Sequence, residues 1–154
     1  MSISRRELIR QNIITTLEGI TIASGFNNDI ANVEGWKQRG NPLKNVPCIV
    51  VSLGRETKDP DPHPQATCTL PVFIDLWTRQ GESDETETDQ LLNSLLLDIE
   101  KAIMADETRG GYAENTIIRS NMPFETVEGQ PHCGLIIELE IVYQHKLTDP
   151  ASYT

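Results

Sequence analysis

The stretch from Gly134 to Leu147, GLIIELEIVYQHKL, limits the fold more than any other part of the chain, because apolar residues hold every odd position from Leu135 through Tyr143. Side chains alternate across a β-strand, so Leu135, Ile137, Leu139, Ile141 and Tyr143 share one face, and Ile136, Glu138, Glu140, Val142, Gln144 and Lys146 share the other. One face is therefore packed. The other carries charge and cannot lie under a second apolar layer, so it must meet water, a charged partner or a lumen.

A second stretch has the same period. From Gln65 to Gln80, residues Ala66, Cys68, Leu70, Val72, Ile74 and Leu76 alternate with Thr67, Thr69, Phe73, Asp75 and Trp77. Pro71 lies within it and predicts an edge position or a bulge, since proline cannot donate to a strand ladder. Ahead of it, Pro47 leads into the β-branched run Cys48 to Leu53, and the two runs are expected to pair as a long hairpin with its tip between them. That tip, Arg55 to Pro64, holds three prolines in ten residues and is expected to be an exposed loop. Asp29 to Val33 is short and polar enough to be only an edge strand, Asn115 to Ser120 reads as another short strand, and Met122 to Gln130 as a strand or extended passage.

Helical spacing appears twice. Ser4-Arg5-Arg6-Glu7 has the form of a capping box, and Leu8, Ile9, Ile13, Ile14 and Leu17 follow at helical intervals up to Gly19. Further on, Leu91, Leu92, Leu95, Leu96, Ile99, Ala102 and Ile103 mark a helix over 84–105. Its start is acidic, with Asp84, Glu85, Glu87 and Asp89 placed favourably for the helix dipole and Ser83 as a possible cap. Turn chemistry falls at Asn27-Asn28, at Arg39 to Pro42, at Arg109-Gly110-Gly111 and at Gln130-Pro131-His132, and residues from Asp149 onward read as a tail. The expectation is a single α+β domain over 1–154, a mostly antiparallel sheet with helices 4–19 and 84–105 packed on one face.

The totals exclude several functions. A net charge of −10 opposes direct binding to nucleic acid, whose phosphates it would repel. No apolar run approaches the roughly 20 residues of a membrane helix, and charges among the first residues argue against a secretory signal. The expected compartment is the cytosol. Three cysteines without a paired spacing suggest neither a disulfide framework nor a zinc site, and His132-Cys133 reads as a turn followed by a buried thiol. Asp59, Asp61 and His63 alternate in one loop and could ligate a divalent ion, which would suit a small metal-dependent hydrolase. No nucleophile elbow, phosphate loop or HExxH helix supports catalysis. The reading is of a non-enzyme without a cofactor.

Taken in order, the capped N-terminal helix, the GFNNDIANV passage, the strand opening Val46-Pro47-Cys48-Ile49-Val50-Val51, the strand around Val72 to Leu76, the helix Leu91 to Ala102 and the closing strand ending Val142-Tyr143-Gln144-His145 resemble the tail terminator, or minor tail protein U-like, family of long-tailed bacteriophages. The resemblance spans nearly the whole chain. It implies a virion protein, assembled in the host cytoplasm, that forms a homohexameric ring on the last tail-tube subunits, stops tube growth and offers a surface to a head-completion or connector protein. DNA would pass through the ring without being specifically bound. A related neck or tail-completion protein is the alternative within the same group. The resemblance carries no catalytic residues. In such a ring Glu138 and Glu140 would face the channel, where an isolated open sheet would turn them to bulk solvent, and Arg55, Lys58, Asp59, Asp61 and His63 would form a contact loop for a neighbouring subunit or the tube.

Overall fold

The computed structural model describes residues 2–35, 45–79, 85–124 and 132–152. Its elements in chain order are α1 (Arg5–Glu18), a 3-10 turn (Ile22–Ser24), β1 (Asn32–Glu34), β2 (Cys48–Leu53), β3 (Thr57–Asp59), β4 (Gln65–Arg79), α2 (Glu85–Met104), β5 (Asn115–Pro123) and β6 (His132–Lys146). The sheet runs β1-β2-β4-β6-β5, with β3 also on β4, and every pairing is antiparallel except β1 on β2. This is the expected α+β architecture.

The two alternating stretches form its centre. β4 and β6 pair along their whole length, from Gln65 opposite Lys146 to Arg79 opposite His132. Their apolar positions fall on one face, where Cys68, Leu70, Val72, Ile74, Leu76, Ile137, Leu139 and Ile141 have no exposed surface. Both helices cover that face. α1 buries Ile9, Ile13 and Leu17, and α2 buries Leu92, Leu95, Ile99 and Ile103, all in the same core. Each fully buried leucine or isoleucine contributes roughly 1.5–3 kcal/mol of apolar transfer.

α1 is capped as its sequence suggests, the Ser4 hydroxyl accepting from the Glu7 amide at 3.2 Å. The Glu7 carboxylate points along the helix instead, taking Arg10 at 2.8 and 2.7 Å and Gln11 at 3.0 Å. The predicted cap at Ser83, the start of that helix at Asp84 and the turns at Arg39 to Pro42 and Gln130-Pro131 lie outside the described residues.

Pro71 is not on an edge. It sits in β4, between β6 on one side and the β2/β3 line on the other. It is tolerated there because the β2/β3 line is interrupted opposite it: β2 ends at Leu53, β3 begins at Thr57, and Gly54 bridges the gap by donating its amide to the Pro71 carbonyl at 2.8 Å. A residue's amide and carbonyl share one side of a strand, so the missing Pro71 donor falls where no ladder bond is required. The expected hairpin is confirmed, Cys48 to Leu53 lying opposite Trp77 to Val72. Its tip is only partly a loop, since Thr57–Asp59 forms β3 against Thr67–Thr69.

The segment expected as a tail folds back. Lys146 donates to the Ser152 carbonyl at 2.8 Å, and Pro150 accepts from the Arg5 amide at 3.2 Å, which fastens residues 149–152 beside the start of α1. The Asn27-Asn28 turn has a partner that periodicity could not show. Buried Asp98 of α2 accepts from the Asn27 and Asn28 amides at 3.1 and 2.9 Å and from the Asn28 side chain at 2.9 Å.

Candidate assembly surface

The sheet face away from the helices carries an ordered array of polar and apolar side chains. Strand register sets its side chains in rows. Ser52, Phe73, Glu138 and Ser120 make one, and Val50, Asp75, Ile136 and Met122 make the next. A depression of about 460 Å³ opens among Ser52, Phe73, Asp75, Ser120, Met122, Ile136 and Glu138. Burial alone pushes the Asp75 carboxyl above its ordinary range. One row further along, the rings of Trp77 and Phe124 stack with centroids 4.2 Å apart. Gly134 allows this, since a Cβ there would stand 2.7 Å from the Phe124 ring and 1.9 Å from the Leu76 carbonyl oxygen.

Glu138 and Glu140 both project from this face. Glu140 is held by Arg119, whose Nε and Nη2 donate to its two oxygens at 2.8 and 3.1 Å. That forked contact depresses the Glu140 carboxyl and raises the Arg119 guanidinium. The sequence reading did not find Arg119. Ile117 stands opposite Glu140, which puts Arg119, two residues on, on the same open face; the register then slips between Ile118 and Ser120, and this bulge brings Ser120 onto that face as well, opposite Glu138. Ser120 Oγ reaches Glu138 at 3.3 Å.

The predicted contact loop divides in two. Arg55, Asp59, Asp61 and His63 are exposed. Lys58 is exposed as well, yet its ammonium reaches a polar cluster, where Nζ lies 2.8 Å from His145 Nε2 and 3.4 Å from Glu56 Oε1. His145 Nδ1 faces the Lys146 carbonyl at 2.6 Å and so carries the ring hydrogen, which leaves Nε2 to accept from the ammonium. Glu56 accepts in turn from the Tyr143 hydroxyl at 2.6 Å. Glu56 carried no signal in the sequence beyond its place in a charged loop.

Asp59, Asp61 and His63 do not come together as metal ligands, and among the described residues no group of three His, Cys, Asp or Glu side chains does so. Cys48, Cys68 and Cys133 are buried thiols outside any disulfide, and burial pushes the Cys68 and Cys133 thiols up, away from the reactive thiolate.

Among curated proteins, none matches the chain. A solved structure described as the virion of native gene transfer agent (GTA) particle is similar at 12% identity and a TM-score of 0.45, with 86% of this chain and 91% of that chain covered. The sequence pattern of the family described as bacteriophage tail tube terminator protein matches residues 1–132. A match over that much of the chain settles membership: this protein belongs to the bacteriophage tail tube terminator family, and it is a structural protein of the phage tail.

Proposed function

We propose that the chain, as one domain over 1–154, forms a homohexameric ring at the head-proximal end of the tail tube, where it ends tube polymerisation and offers a joining surface to a head-completion or connector protein. The family match over residues 1–132 carries this reading. A terminator needs one surface for the last tube ring, one for the head side and one for its own neighbours. The exposed residues Arg55, Lys58, Asp59, Asp61 and His63 are candidates for the tube or neighbour contact. Glu138 and Glu140 are candidates for the channel wall, where acidic groups would repel passing DNA and need no specific site for it.

Native mass measurement of the purified protein, alone and mixed with tail tubes, tests the proposal. A species of six subunits, and tubes that stop lengthening once it is added, are expected. A protein that stays monomeric under both conditions, or tubes that keep growing in its presence, would overturn it.

A further inference from the structure

The two sides of the molecule carry patches that complement each other. On the open sheet face, Phe73, Ile136 and Met122 supply apolar walls to the depression, and Asp75 and Glu138 supply acid groups. Met122 is 57% exposed. Asp75 is the informative member, because no hydrogen bond or ion pair from a described residue reaches its carboxylate. A half-buried carboxylate that no described cation neutralises gains from an incoming one.

The helix side carries the counterpart. α2 packs Leu95, Ile99 and Ile103 inward, yet Leu97 is 58% exposed and Met104 38% exposed on its outer side. Lys101 stands between them, with its ammonium 5.3 Å from the Phe26 ring centre. Positions 97, 101 and 104 are spaced four and three apart and share one helix face, so the stripe reads apolar, basic, apolar. The depression reads apolar and acidic.

We infer that the Leu97, Lys101 and Met104 stripe of α2 docks into the open-face depression of a second copy of this chain, with Lys101 meeting Asp75 and Glu138. The two patches lie on opposite sides of the subunit, so the contact is head-to-tail. Such a contact repeats until it closes into a ring or continues as a filament. The inference therefore rests on the ring reading and gives it an interface. It takes Glu138 out of the channel wall and leaves that role to Glu140. β6 is 15 residues long, roughly 50 Å, so a helix crossing near Ile136 leaves Glu140 and the strand beyond it free to face water.

Charge reversal tests the contact. The full-length wild-type, Lys101→Glu and Asp75→Lys proteins are compared by sedimentation and native mass, with far-ultraviolet circular dichroism as the check on folding. Each single variant is expected to associate at least tenfold more weakly than wild type. An equimolar mixture of the two is expected to regain assembly, because an alternating ring restores an opposite-charge pair at every junction. Should Asp75→Lys not fold, Glu138→Lys replaces it in the mixture. Lys101→Glu assembling as wild type does, or two folded variants whose mixture stays dissociated, would overturn the docking while leaving the ring intact. Wild-type protein that is monomeric alone and with tubes would overturn both, and assembly only in the presence of tubes would assign the depression to the tube protein.

Discussion

Tyr143 donates its hydroxyl to Glu56 over 2.6 Å, joining the last apolar position of β6 to a residue that the sequence places in an exposed loop. Tyr143 is 1% exposed and the Glu56 side chain 7% exposed, so neither group has ready access to water as a substitute. With Lys58 and His145 completing the cluster, the contact fastens β3 to the end of the sheet.

Tyr143→Phe removes the donor and leaves the Glu56 carboxylate short of a partner. A loss of about 1–3 kcal/mol is expected, read as a lower urea midpoint at unchanged slope.

The same contact has a signature at high pH. Burial, followed by the Glu56 carboxylate, raises the Tyr143 phenol above its ordinary value of 10.0. A raised folded value makes this contribution fully present below about pH 10 and lost as pH climbs from there toward the folded value. Wild-type stability should fall above pH 10 more steeply than that of Tyr143→Phe, as paired urea titrations would show.

Glu140 is expected to titrate below the ordinary carboxylate value of 4.5, because Arg119 donates two hydrogen bonds to it. Its contribution to stability is present above that value and lost as pH falls through the depressed one, and exposure keeps it small. Carboxyl carbon NMR should show the Glu140 midpoint rising in Arg119→Gln.

Leu95→Ala and Ile99→Ala remove fully buried side chains of α2 from the core over the sheet. Each should cost about 2–5 kcal/mol in denaturant unfolding. Wild-type midpoints in both would refute the packing of α2.

Asp98→Ala should cost roughly 3 kcal/mol, because it strands the Asn27 and Asn28 amides that the carboxylate now accepts. Hydrogen exchange at those two amides should accelerate before any global change appears.

Much of this protein was determined by the sequence alone. Period-two apolar patterns in 65–80 and 134–147 dictated two long strands with one wet face each, and a helix-period stripe dictated α2, because burial of an apolar face is a local property repeated many times over. The terminator resemblance was also carried by this order of elements, and the family match bears it out. Contacts between distant segments were decided only by the tertiary structure. Whether Pro71 stood on an edge depended on a gap in a different strand, opposite Gly54. The place of Ser120 beside Arg119 on the open face depended on one slipped residue of register, which no periodicity records. The charged loop became part strand because Thr67–Thr69 presented open backbone groups to Thr57–Asp59. The groups that give the open face its character, buried Asp75 and paired Glu140, acquired it from neighbours tens of residues away, since electrostatic environment follows distance in space and not position in the chain.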